Sequence, residues 1–248
     1  MLKKILACVL TLTLVLSLAA CGQSANVRGD VDKTPTTEAT TEATTEATTE
    51  ATTEATIEAT TAATTEASAD EEFAIGSSVG GTYKNAFIGI QCTLDENWIF
   101  MTDEEIRVQN EATLGLMGDD YANAIANAAV VYDMMATNVN QLDTLGVVLE
   151  KLSGINLLIS EEQYLTASKD SAVGGLESMG FTITSSEVVK IQFAGAEHYA
   201  LTIEGNFAGY AVYECLVAVK CNGYLAAVTA CTWDQNTCMD ILNQFQAY

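Results

Sequence analysis

The chain has 248 residues, with 33 Asp and Glu against 10 Lys and Arg and a formal charge of −23. A chain so acidic is repelled by phosphate backbones and by anionic lipid, which excludes nucleic acid as a partner. Cationic partners and divalent ions are favoured, and solubility on a crowded surface is the simplest use of the charge.

Lys3 and Lys4 open the chain, and Ile5 to Ala20 is an apolar run broken by Thr11, Thr13 and Ser17. The run is shorter than the ~20 apolar residues that span a bilayer as a helix. A positive start, a short apolar core and small residues at its end make a secretory signal. The run ends Leu18-Ala19-Ala20-Cys21-Gly22, which resembles the bacterial lipobox. That resemblance implies cleavage before Cys21 and a diacylglyceryl group on its sulfur, placing the protein on the extracytoplasmic face of a cell membrane. One acyl chain holds marginally, and two anchor stably. The alternative is ordinary signal cleavage with Cys21 left as a free thiol.

Residues 1–20 are therefore read as the signal peptide, 21–70 as a lipid-anchored linker rich in Thr, Glu and Ala, and 71–248 as one globular domain. The linker repeats Thr-Thr-Glu-Ala, with Glu38, Glu42, Glu46, Glu50, Glu54 and Glu58 each four apart. On a helix these like charges would stack on one face, and β-branched Thr is a poor helix former. With little to bury, the segment is expected to be disordered. Its ~50 residues reach at most ~170 Å when extended and average ~40 Å as a coil. The Thr hydroxyls are candidate acceptors for O-linked sugars.

Within the domain, Thr82 to Leu94 reads as a strand centred on Phe87-Ile88-Gly89-Ile90. Asp95-Glu96-Asn97 turns into a short strand, Trp98 to Met101. Thr102 with Glu105 forms a capping box that opens a helix to about Met117, stopped by Gly118, and Asp119 or Asp120 caps a second helix through Ala126. Val130–Thr137 and Thr144–Leu152 read as strands. Ser160 with Gln163 is another capping box, and its helix carries Leu165, Ser168, Ala172, Leu176 and Met179 on one stripe until Gly180. Strands follow near Glu187–Phe193, Glu197–Glu204, Ala211–Lys220 and Tyr224–Thr232. A last helix from about Asp234 turns Cys238, Ile241, Leu242 and Phe245 inward. Several strands are apolar on both faces, so both faces of the sheet must be covered. The expected fold is α+β, a largely antiparallel sheet sandwiched between helices.

Asn222-Gly223 signals a two-residue hairpin. It places Cys221 opposite Tyr224 and Glu214 opposite Cys231, so Cys215 and Cys231 point to opposite faces and cannot bridge. Cys215 and Cys221 lie ~20 Å apart along one strand. The cysteines Cys92, Cys215, Cys221, Cys231 and Cys238 are read mostly as small buried hydrophobes.

Thr82-Tyr83-Lys84-Asn85, Phe87-Ile88-Gly89-Ile90, the turn to Trp98 and the acidic start Asp103-Glu104-Glu105 together resemble the opening of PsbP-like domains in bacterial lipoproteins. The likeness continues through Gly223-Tyr224 and the last helix. Asp95-Glu96-Asn97-Trp98 stands where Pro-x-Gly-Trp is common. The resemblance implies a PsbP-like fold and a non-enzymatic, accessory or binding role.

No phosphate loop, dinucleotide fingerprint or nucleophile elbow is present, and no cofactor is expected. His198 is the sole histidine. It is either a general base or an ordinary hydrogen-bonded histidine. The clusters Asp95-Glu96, Asp103-Glu104-Glu105, Asp119-Asp120 and Glu161-Glu162 lack EF-hand spacing; one is a turn and three sit at helix starts, where carboxylates suit the dipole. Gly80-Gly81 reads as a hinge out of the linker, and Gly174-Gly175 as close packing within a helix. Phe207, in the loop Gly205 to Gly209, either packs or binds. Phe207, His198 and Trp98 are thus the candidate ligand residues, with Cys21 the site of lipid attachment. The expected function is a membrane-anchored binding or accessory domain, its partner an envelope protein or a cell-wall polymer. An envelope hydrolase using carboxylates or His198, and a passive component of a membrane complex, are the alternatives.

Overall fold

The computed structural model describes residues 73–114 and 121–248. The signal peptide, Cys21, the linker, Gly118, Asp119 and Asp120 lie outside the described residues.

A seven-stranded antiparallel sheet forms the centre. Its strands, in spatial order, are β4 (Trp98–Phe100), β5 (Val130–Asn138), β6 (Thr144–Lys151), β10 (Tyr224–Thr232), β9 (Tyr210–Cys221), β8 (Ala196–Phe207) and β7 (Thr182–Phe193). A second antiparallel sheet has the order β1 (Ser77–Val79), β2 (Thr82–Asn85), β3 (Ile90–Thr93) and β11 (Phe245–Ala247). Helices α1 (Asp103–Leu114) and α3 (Glu161–Ser178) cover one face of the large sheet, and α2 (Tyr121–Asn127) leads into β5. The short helix α4 (Thr237–Leu242) and the small sheet cover the other face. The fold is α+β and antiparallel, with helices on both faces, as the apolar strands required.

Local signals act where they were expected. Glu105 N–H donates to Thr102 Oγ1 at 3.3 Å and Thr102 N–H to Glu105 Oε2 at 2.8 Å. Ser160 and Gln163 complete the second capping box. Asn222 and Gly223 take φ of 45° and 79° in the β9–β10 hairpin, with Cys221 opposite Tyr224 and Cys231 opposite Glu214. All five described cysteines are free, and Cys215 and Cys231 belong to cores on opposite faces.

Five expectations are corrected: the last helix ends at Leu242 and Phe245 turns inward from β11, Gly174 is exposed with nothing packed against it, and three more concern strands and turns. Thr82–Leu94 is not one strand but a hairpin. Asn85 Oδ1 accepts the Ile88 N–H, and Gly89 at φ 69° reverses the chain, so Ile90 pairs back on Asn85. Gly80-Gly81 is the turn of the β1–β2 hairpin, not a hinge. Phe207 is not in a loop: β8 continues through it, and the turn is only Ala208-Gly209.

The two sheets are joined at a bulge. In β5 the pairing with β6 slips between Tyr132 and Met134, leaving Asp133 as the extra residue. The bulge turns Asp133 toward the small sheet alongside Met134. There its buried carboxylate accepts bonds from the Tyr83 hydroxyl, Asn85 Nδ2 at 2.7 Å and Gly76 N–H at 2.5 Å. A Cβ on Gly76 would lie 2.6 Å from the Tyr83 ring, so glycine alone permits this approach. Burial pushes the Asp133 carboxyl up, and the three donors pull it back. Asp133→Ala would strand two buried donors and the half-buried Gly76 N–H. It is expected to cost about 3 kcal/mol in urea unfolding, with Asp133→Asn costing less.

Candidate functional site

Two cavities in the described residues invite a ligand. One lies under α3, where Leu165, Leu201, Leu216 and Leu225 surround the short side chains Ala227 and Thr229 on the sheet floor. Its polar edge is Glu150, whose carboxylate accepts the Tyr164 hydroxyl. Burial raises the Glu150 carboxyl and the Tyr164 hydroxyl alike. This cavity measures about 30 Å³, room for a water or two and no more. It is a packing hollow rather than a ligand site.

The other is an open cleft of about 210 Å³ lined by Leu94, Asp95, Trp98, Asp240, Ile241 and Gln244. Each wall has a local cause. The Asp95 turn is closed by Asn97 N–H on Asp95 Oδ1 at 2.9 Å and Trp98 N–H on Asp95 O at 3.1 Å. That turn aims the half-buried Trp98 ring along the core edge at the start of β4. Helix α4 buries Ile241 and leaves Asp240 and Gln244 exposed beside it. The cleft combines an apolar ring with two acceptor carboxylates and an amide. It suits a hydroxylated or amine-bearing group stacked on Trp98.

His198 lies elsewhere. Pairing of β8 with β9 stops at Tyr199–Ala218. Beyond that rung the carboxylate of Glu161, first residue of α3, occupies the gap. It accepts the backbone N–H of Tyr199 at 3.3 Å, the N–H of Lys220 at 3.0 Å and His198 Nδ1 at 3.0 Å. The carboxylate thus replaces a lost ladder rung, and His198 is a hydrogen-bonded partner of it. Lys220 Nζ, on the same knot, donates to the carbonyls of Asn156, Leu157 and Ile159.

Phe207 packs: its ring stacks on Phe181 at 4.5 Å between centroids. It stands nine residues from His198 on one strand, about 30 Å, and Trp98 is five strands away from both, about 24 Å. The three candidate residues do not form one site; Trp98 alone lines the cleft. The neighbours of Trp98 in the cleft, Asp240 and Gln244, went unnoticed in the sequence because they come from the last helix and the turn after it, more than 140 residues along the chain.

Glu214 is a further buried carboxyl. Neither oxygen has a hydrogen-bond partner, and burial raises it to about 8. On its rung Cys231 and then Thr144 follow across β10 and β6. Glu150 and Glu214 share the helix-covered face but are six rungs and two strands apart, about 22 Å, too far for a hydrolytic carboxyl pair. Burial also holds the thiols of Cys92, Cys215 and Cys221 up to about 12, so they are inert. The described residues contain no group of three metal-ligating side chains and no helix long and apolar enough to cross a membrane.

No family model and no curated protein matches the chain. Among solved structures it is similar to cyanobacterial PsbP from Synechocystis, at 12% identity and TM-score 0.39 over 67% of this chain and 91% of that one. It is also similar to LpqN, described as involved in cell envelope biogenesis of Mycobacterium tuberculosis, at 17% identity and TM-score 0.37 over 63% of this chain and 82% of that one.

The folded state keeps the Glu214 proton that an unfolded chain releases. Stability is therefore full below the ordinary glutamate range and falls as pH rises to about 8. Urea midpoints measured from about pH 5 to about pH 9 should decline for the native chain and stay flatter for Glu214→Gln.

Proposed function

We propose that the chain is a lipid-anchored envelope protein whose folded domain is a non-enzymatic binding module, and that the Trp98 cleft takes its ligand. The carrying observation is the cleft itself, which joins an aromatic face to Asp95, Asp240 and Gln244 with room for a sugar-sized group. Carboxylates accept hydrogen bonds and cannot donate them, so the ligand must offer hydroxyls or amines. A cell-wall polymer supplies both, and an amine also answers the net charge. The lipobox and the linker of residues 21–70 support presentation away from the membrane. A hydrolytic reading needs a carboxyl held in its acid form beside the substrate. The carboxyls that burial drives that way, Asp133, Asp143, Glu150 and Glu214, stand outside this cleft.

Two measurements test this. Mass spectrometry of the mature protein should find a diacylglyceryl-modified N-terminal Cys21; an unmodified, freely secreted product refutes the anchor. Sedimentation with purified cell-wall polysaccharide should retain the native chain. Trp98→Ala should weaken retention roughly tenfold, and Asp240→Asn, at an exposed position, should weaken it without changing the melting temperature. Equal retention of all three chains refutes the cleft.

A further inference from the structure

The segment between β6 and α3 carries an unusual surface. Ile155, Leu157 and Leu158 are 72%, 48% and 85% exposed within four residues. Their backbone is held tightly. Gly154–Leu157 forms a single 3₁₀ turn, with Leu158 N–H on Ile155 O at 2.9 Å. Lys220 Nζ occupies three carbonyls of the segment, those of Asn156, Leu157 and Ile159. Leu152 N–H binds Gly223 O at 2.9 Å, seating the segment against the β9–β10 turn. Aliphatic side chains therefore project outward while the carbonyls of Asn156, Leu157 and Ile159 are satisfied from inside. Backbone polar groups must be satisfied in this way before a segment enters a low-dielectric medium.

The position of this surface selects its partner. Phe73, the first described residue, stacks on Tyr224 at 4.8 Å between centroids and meets Phe87 at 5.3 Å. Tyr224 follows the same Asn222-Gly223 turn that supports the loop. The chain coming from Cys21 thus joins the domain at the end of the sheet that bears the aliphatic loop. Lys151 and Lys220, two of the six Lys and Arg from Asp70 onward, flank the loop. Two carboxylates of this end, Glu150 and Glu161, are turned inward onto Tyr164 and onto the β8–β9 gap.

We propose that Ile155, Leu157 and Leu158 insert into the headgroup–acyl boundary of a bilayer, forming a second, reversible membrane contact. The inference leans on the anchored reading of Cys21 for proximity alone: ~50 residues span at most ~170 Å even when fully extended, so the domain stays near the bilayer and a weak contact is populated. With this end against the bilayer, the Trp98 cleft at the opposite end of the strands faces away from it.

The test attaches the chain from Gly22 onward to phosphatidylcholine vesicles through an N-terminal hexahistidine on a nickel-chelating lipid, so it runs whether or not Cys21 is lipidated. Leu158→Trp adds a fluorophore at the loop. The native Trp98 and Trp233 sit at the far end of the sheet, and Val139→Trp adds a control there. Brominated acyl chains should quench the emission added by Leu158→Trp roughly twofold or more and leave that of Val139→Trp unchanged. Quenching should weaken in phosphatidylglycerol vesicles at low salt, because the domain is acidic, and recover with added salt. Unquenched Leu158→Trp emission overturns the proposal, as does quenching equal to that of Val139→Trp. A concentration-dependent dimer that vanishes with Leu158→Ser also overturns it, by making the loop a self-interface.

Discussion

Asp133 carries a carboxyl that water solvates strongly, and the fold removes it from water. Burying it alone would be prohibitive. It is tolerated because the bulge in β5 points it at three donors that come from the small sheet and its approach, namely Tyr83, Asn85 and Gly76. Those donors would be equally unsatisfied without it. The relation of the two sheets is therefore set by a mutual need for hydrogen bonds, while the apolar residues around the bulge supply adhesion without direction. Because the bulge also inverts the alternation of β5, Met134 reaches the inter-sheet core and Met135 the helix-covered face.

A similar exchange operates at the other side of the large sheet. Where β8 and β9 part, two backbone N–H groups would be left open, and Glu161 closes them from the first turn of α3. That bond fixes where α3 lies and brings Lys220 under the aliphatic loop. Glu214 has no such compensation, and its buried carboxyl is kept neutral instead.

These constraints give the domain two distinct ends. One gathers Phe73, the β9–β10 turn, the loop of Ile155 to Leu158 and the Glu161 knot. The other gathers the Asp95 turn, Trp98 and α4. The first has a loop whose carbonyls bind Lys220 and whose aliphatic side chains point outward, the second an aromatic ring beside exposed acceptors. The proposed membrane contact and the proposed ligand cleft fall at these two opposite ends.

Much of the fold was legible from the chain alone. The capping boxes at Thr102 and Ser160, the Asn222-Gly223 turn with its register, and the separation of Cys215 from Cys231 all follow from interactions within a few residues, where local geometry decides the outcome. Strands apolar on both faces likewise demanded cover on both. Reading Thr82–Leu94 as one strand failed because the Asn85 cap and the positive φ of Gly89 outweigh a run of apolar residues that is itself neutral between strand and turn. The sequence by itself determined most strands of the large sheet, the helices that cover it and the faces they bury, but not the small sheet. Tertiary structure alone decided that Asp133 ties the sheets, that Glu161 fills a lost rung and takes His198 as its partner, and that Asp240 and Gln244 complete the surroundings of Trp98. Each of these joins residues tens of positions apart, and no periodicity along a chain encodes which distant donor will meet a given acceptor.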